Sequence, residues 1–397
     1  MKGLSTATLS LASFVVASTA VASPNAYLST PFANQVLVVD TADNSLVTTI
    51  DVGEFPRGLK VSPDGSKVYV ANIGDNADPM NILPSTISVI QTDDNSVTTI
   101  ETDPTGVAGT SFVAFTPDGA HAYASNQGSD EVIVIDVATD SLAGTSIPTG
   151  GRPQGLEVNH AGTRLYVANQ TDGTVTVIDT SNNQVVTTIP VGGGSAQVAV
   201  SPDDKKVYVT SLNDGTVWVI NADTNAVIGS PLDLGSGSVP YGMVFSEDGS
   251  QLFVLEHIGD EISVIDTATD TVGTPVPLPA IGPFLGARNA ANGLIYFTGS
   301  NLNTFNPANL QVVSPALDTT ADYTFGIDIV GSDEDNGGNN NGGGGGGGGV
   351  PAGLGNLGGG GGCSFGLAGD SAPLFSSLIW FIPLALVPLR RKLFGVK

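Results

Sequence analysis

Between Tyr27 and Val330 the chain holds four arginines, Arg57, Arg152, Arg164 and Arg288, and three histidines, His121, His160 and His257. A guanidinium binds carboxylate or phosphate through paired planar hydrogen bonds, so sparse arginines at recurring places are the first candidates for chemistry. Arg57 and Arg152 stand beside Pro56 and Pro153, just ahead of apolar runs, and Tyr241 and Phe325 take the place of Arg57 in two other copies of the same pattern. Further along these runs, two residues ahead of a turn, sit Lys60, Glu157, Arg288 and Asp328, where other copies carry Ala114, Ala199 and Val244. These polar substitutions are read as lining one opening, with a positive spot suited to a small anion. The alternative is that the arginines pair with Glu54, Glu157 or Asp328 and only hold the scaffold together. His257 is the histidine whose loop is expected on the same side as Arg57. Between Tyr27 and Val330 no His-x-x-x-His, Cys-x-x-Cys or Gly-x-Ser-x-Gly pattern occurs, so zinc hydrolysis and a serine elbow have no foothold there. Asp75 and Asp78 carry calcium-type oxygens, without the spacing of a calcium loop, and read as a solvated loop.

The elements that position these residues repeat. Tyr166 to Val191 contains three short β-branched runs separated by Asp172-Gly173 and by Asp179 to Asn183. Asp-Gly favours a tight hairpin with positive φ at both central residues, so the stretch reads as an antiparallel meander. An aromatic anchor opens each unit, at Tyr27, Tyr69, Tyr123, Tyr166, Tyr208, Phe253 and Tyr296, with gaps of 42, 54, 43, 42, 45 and 43 residues. Turns such as Ser62-Pro63-Asp64-Gly65 and Thr116-Pro117-Asp118-Gly119 recur between the fourth strand and the next anchor. Four strands in each unit make an all-β, seven-bladed β-propeller of antiparallel strands. The chain begins with three strands of a blade and ends at Tyr323 to Val330, a segment like the innermost strand of the others. The C-terminal strand is therefore expected to pair with the N-terminal blade and close the ring. The longest gap places an extra segment, Ile73 to Thr86, beside Arg57 as part of the rim.

The runs Tyr69-Val70-Ala71-Asn72, Tyr123-Ala124-Ser125-Asn126, Tyr166-Val167-Ala168-Asn169 and Tyr208-Val209-Thr210-Ser211 resemble the motif of YVTN-family β-propeller repeat proteins. The resemblance covers Tyr27 to Val330. It implies the propeller fold, and a range of roles from surface-layer components to relatives of propeller enzymes.

A formal charge of -25, with 13 Lys and Arg, leaves no basic surface for nucleic acid. Residues 1–22 read as a secretory signal: Lys2, an apolar stretch from Leu9 to Val16, and a cleavage site ending at Ala22. The propeller is assigned to 23–331 and a Gly/Asn-rich flexible linker to 332–362. Residues 363–397 hold the single cysteine, Cys363, a hydrophobic helix over 374–389 and a basic end, Arg390-Arg391-Lys392. That tail resembles the C-terminal sorting signals of Gram-negative bacteria, which implies a sorting protease, processing or lipidation at Cys363, and membrane attachment until then. The expected location is the periplasm or cell surface of such a bacterium, tethered or released. Sixteen helical residues span about 24 Å, short of the ~30 Å hydrocarbon core, so the span is marginal.

The sequence reading favours an exported, envelope-tethered propeller that binds or scaffolds without catalysis. It expects no cofactor and a protein, glycan or small anion as partner. A lactonase- or lyase-type propeller enzyme using Arg57, Arg152, Glu157, Arg288 and His257 is the alternative, and a surface-layer or adhesion component is the third reading.

Overall fold

The computed structural model describes residues 24–74, 83–104, 107, 109–279, 282–317 and 323–330. The expected signal segment with Ala22, the pair Asp75 and Asp78, the linker, Cys363 and the hydrophobic tail lie outside them.

Seven antiparallel sheets form a closed ring, and each is a four-stranded blade. In the fourth blade, strand Pro153–Val158 is innermost, followed outward by Arg164–Asn169, Thr174–Asp179 and Gln184–Pro190. The outermost strand is broken in blades 3, 5 and 6, into Ser141–Leu142 with Ile147–Pro148, Ala226–Val227 with Leu232–Asp233, and Thr271–Val272 with Val276–Pro277. Gly144 and Gly229 stand at two of these breaks with φ of 76° and 64°, a conformation that interrupts a strand cheaply only at glycine.

Each sheet alternates side chains between two neighbours, so the core is a set of wedges between blades rather than one centre. Tyr69, Ala71, Ile87 and Val89 of blade 2, for example, pack on Val113, Phe115, Ala122 and Ala124 of blade 3. Several of the tyrosine anchors add polar staples at the outer ends of their wedges. Tyr123 Oη donates to Asn183 Oδ1 at 2.8 Å and Tyr208 Oη to Asp270 Oδ1 at 2.7 Å, in each case reaching the outer turn of the next blade. Lys206 Nζ joins the second staple at 2.7 Å. Tyr69 Oη and Lys67 Nζ meet Asp140 in the same way.

The ring closes as the repeat requires. Strand Ile327–Ile329 pairs antiparallel with Asn25–Thr30, with Tyr27 opposite Asp328, and completes the first blade. Tyr296 Oη of blade 7 donates to the Thr41 carbonyl of blade 1 at 3.2 Å, the same staple spanning the seam.

One turn differs from its sequence reading. Asp172-Gly173 is not a two-residue hairpin with two positive φ values; Gly173 alone has positive φ (62°), and its N–H donates to Asn169 O across a longer loop. Asp172 is held otherwise because its carboxylate accepts the Gly151 N–H at 2.8 Å.

Candidate functional site

The innermost strands share a bulge near one mouth of the channel, between Pro56 and Leu59, Pro153 and Leu156, and Pro240 and Met243. A bulge turns one side chain out of the ladder, and in these three blades the turned residue precedes a glycine: Arg57-Gly58, Gln154-Gly155, Tyr241-Gly242. Glycine is required by close packing. A Cβ at Gly58 would lie 2.5 Å from Phe112, and one at Gly242 would lie 2.6 Å from the Phe284 carbonyl. Phe325-Gly326 repeats the pattern at the seam, where a Cβ at Gly326 would meet the Arg57 carbonyl at 2.4 Å.

In four blades the chain turns through left-handed φ one residue before the innermost strand. Gly109 and Gly194 do so at 62° and 74°, but blades 2 and 4 use Phe55 and Arg152, both at 55°. Loop side chains of the preceding blade hold them there: Asn34 Oδ1 accepts the Phe55 N–H at 3.0 Å, and Asp130 Oδ1 accepts the Arg152 N–H at 2.7 Å. Asp260 does the same for Gly282 at 2.7 Å. The start of the extra segment docks on this lead, with Ile73 N–H on Phe55 O at 3.2 Å and Gly74 N–H on Glu54 O at 3.1 Å.

Arg57, Arg152 and Tyr241 converge electrostatically. Burial, and then the charge of Arg152, push the Arg57 guanidinium down to about 9, with Tyr241 pulling the other way. Burial also lowers Arg152. The buried Tyr241 phenol is held well above its ordinary value by desolvation, against the pull of both arginines, and stays neutral. One buried and one half-buried cation, beside a neutral hydroxyl donor, form a seat whose repulsion an anion relieves.

Aromatic rings wall one half of the mouth. The Arg57 guanidinium lies 5.6 Å from the Phe325 ring centre and 5.9 Å from that of Phe55. Phe325 stacks on Phe284 at 4.6 Å, and Phe284 stacks on His257 at 4.1 Å. His257 meets Tyr241 edge-on at 5.8 Å. Burial lowers the imidazole below its usual value, opposed by the Gly282 backbone and the Asp260 charge, so His257 is a neutral base near pH 7. Gly282 is bare because a Cβ would sit 2.9 Å from His257 Cε1. The other half is amide-lined: Arg152 Nε donates to Gln127 Oε1 at 3.3 Å, and Gln127 Nε2 reaches Gln154 Oε1 at 3.4 Å and Ser111 Oγ.

The structure separates the sequence-predicted set into two levels. Arg57, Arg152, Tyr241 and His257 share the mouth. Lys60, Glu157, Arg288 and Asp328 lie three residues further along their strands than the Arg57 slot, roughly 10 Å down the channel. There they join blades. Asp328 Oδ2 accepts the Val61 N–H at 2.8 Å and lies 3.4 Å from Lys60 Nζ, and Glu157 Oε2 accepts the Val200 N–H at 3.2 Å. Both carboxylates satisfy the exposed edge of the next innermost strand. Arg288 is 2% exposed and approaches Glu247, on a turn at the far face, at 3.9 Å. Arg164 pairs with Asp179 at 2.8 Å, away from the mouth. No cluster of three metal-ligating side chains occurs among the described residues.

Several mouth residues escaped the sequence reading. Gln154 occupies the Pro-x-Gly slot of Arg57 and could have been found by it. Phe55, Ser111, Gln127 and Phe284 carry no comparable signal. Glu256 stands where other blades have Asn72, Asn126 and Asn169, is fully buried, and takes hydrogen bonds from Ser263 Oγ at 2.5 Å and from Ser238. Desolvation raises its carboxyl above the usual range, against those two hydrogen bonds.

Residues 79–187 match the family described as lactonase, 7-bladed beta-propeller. A 6-phosphogluconolactonase of Klebsiella pneumoniae is 28% identical over 145 residues, which is 35% of this chain and 42% of that protein. The chain thus matches less than half the length of this relative. Among solved structures, a Bacteroides fragilis protein with the working description 6-phosphogluconolactonase aligns with TM-score 0.63 and 14% identity, over 79% of this chain and 99% of its own. The virginiamycin B lyase of Staphylococcus aureus aligns with TM-score 0.54 and 18% identity, over 65% of this chain and 83% of its own. At such identity the structural likeness shows the fold alone. The sequence matches correct the expectation of a non-catalytic binding or scaffolding module, and with it the preference for no enzyme. They favour the lactonase side of the stated alternative.

Proposed function

We propose that this propeller hydrolyses a lactone that carries an anionic group, at the mouth lined by Arg57, Arg152, Tyr241 and His257. The observation that carries the reading is the placement of the buried Arg57 guanidinium and the half-buried Arg152 guanidinium, whose charge lowers it, beside a neutral phenol and a neutral imidazole. The match of residues 79–187 to the lactonase propellers supports it. Arg57 and Arg152 hold the anionic group. His257 takes a proton from water as the water oxygen bonds to the lactone carbonyl carbon. The Tyr241 hydroxyl donates to the oxygen that becomes negative. The ring C–O bond then breaks, and the proton on His257 passes to the departing alkoxide, giving a hydroxy acid.

The test is a pH-stat assay of the full-length protein on anionic δ-lactones, corrected for spontaneous opening. Losing a buried charge-assisted pair, about 3 kcal/mol, lowers kcat/KM by roughly 100-fold in Arg57→Ala with Arg152→Ala. A wild-type protein that accelerates no lactone overturns the reading.

The repeats support kinship with the YVTN proteins as a further proposal. Lys2, the apolar Leu9 to Val16 and Ala20 to Ala22 support export, and the segment from Cys363 to Lys397 supports sorting to the envelope. The intact mass of envelope-derived protein, starting at Ser23 and ending near Cys363, tests both.

A further inference from the structure

We propose, resting on the hydrolase reading, that the substrate is an amphipathic anion, a lactone with an aryl or alkyl body and a carboxylate, and that Phe55 is the residue that selects it. Thirteen described non-glycine residues adopt left-handed φ, and ten of them are Asn or Asp, which tolerate it through their short polar side chains. The other three are Phe55, Arg152 and Leu310. Leu310 belongs to an outer turn on the opposite face, between Leu302–Asn306 and Gln311–Leu317. Phe55 and Arg152 occupy one equivalent slot at the mouth, the slot that blades 3 and 5 give to Gly109 and Gly194. A fold that uses glycine there at no strain has placed a phenyl and a guanidinium there at a cost. Strain that persists at a ligand mouth marks side chains kept for what they touch.

The two strained residues face two different surroundings. Arg152 belongs to the amide half, with Gln127 and Gln154. Phe55 belongs to the aromatic half, partly exposed, with Phe32 edge-on at 5.7 Å and the Arg57 guanidinium at 5.9 Å. Tyr323, 49% exposed, extends that wall beyond Phe284, their ring centres 6.4 Å apart. The Arg57 guanidinium lies over the Phe55 and Phe325 rings, so a carboxylate that pairs with it lies beside aromatic surface. A carboxylate there places the body attached to it against ring faces and ring hydrogens. An aryl or alkyl group gains there, whereas a sugar's hydroxyls would be stripped of water without partners of equal strength.

The experiment compares kcat/KM of the full-length protein for a δ-valerolactone bearing a carboxyphenyl group and for glucono-δ-lactone 6-phosphate. The wild type should prefer the aryl lactone at least about tenfold, and Phe55→Gly should cut that ratio about tenfold, the range one apolar contact commands. The variant restores the residue of the sister blades, so its melting temperature should hold or rise. A wild-type preference for the sugar phosphate, or a ratio unchanged in Phe55→Gly, overturns the proposal while leaving hydrolysis intact. If neither lactone opens but the ring-opened carboxyphenyl acid binds in calorimetry and Phe55→Gly weakens it, the hydrolase reading fails and the ligand class stands.

Discussion

Replacing Asp328 by alanine should loosen the ring at its seam. Its Oδ2 accepts the Val61 N–H at 2.8 Å from a strand edge with no other ladder partner on that side, and Lys60 Nζ lies 3.4 Å away. Alanine leaves the buried N–H without this acceptor, which costs about 2 kcal/mol. Lys60, whose side chain is 15% exposed, loses the charge beside it for roughly 1 kcal/mol more after solvent screening. A ring of roughly 300 residues unfolds with about 0.6 kcal/mol/K of entropy, so the loss of about 3 kcal/mol should lower Tm by about 5 °C. Asp328→Asn keeps an acceptor oxygen and should lose under about 2 °C. Calorimetry supplies the Tm values, and hydrogen exchange at Ile327 to Ile329 shows whether the loss is local to the seam. An alanine variant within 1 °C of wild type, or an asparagine variant equally damaged, would refute the claim that an accepted strand-edge hydrogen bond locks the ring.

The remaining predictions concern the two titratable neighbours on blade 6. Burial holds the His257 pKa below its ordinary value, so its neutral, proton-accepting form is complete by about pH 7.5 and is lost as pH falls through a midpoint below ~6.5. The pH profile of kcat/KM should show that acid limb, and His257→Gln should remove it while leaving binding of the hydroxy-acid product within about threefold; an unchanged limb assigns the base elsewhere. Glu256 has the opposite sign of linkage. Its folded pKa is raised above the unfolded one, so native stability is greatest when it is protonated and declines as pH rises through the folded value. Glu256→Gln does not titrate, and its urea midpoint relative to wild type should climb between pH 4 and pH 8. A gap that narrows over that range contradicts the assignment.

Much of the architecture was legible because its signals are local. The tyrosine anchors, the Pro-Asp-Gly turns and the three-strand start each occur within a few residues of the strands they specify, and the match of Ile327–Ile329 to the other innermost strands foretold the closure with Asn25–Thr30. The slot shared by Arg57, Tyr241 and Phe325 was equally visible, since Pro-x-Gly marks it. What the sequence could not divide was Arg57 from Lys60, or Arg152 from Glu157. Both members of each pair lie on or beside an innermost strand, yet each residue advances the chain by about 3.3 Å, so one member reaches the mouth and the other the interior of the channel.

The sequence by itself determined the repeat, the number of blades, the seam and the residues eligible to line the channel, because turn chemistry and strand alternation act over a handful of neighbours. Tertiary structure alone decided which of them meet. Phe55, Gln127, Arg152, Tyr241, His257, Phe284 and Phe325 come from six blades and the loops between them. Their burial, their shifted protonation and the strain at Phe55 and Arg152 exist only once the ring has closed, because each is the sum of contacts that no single stretch of chain contains.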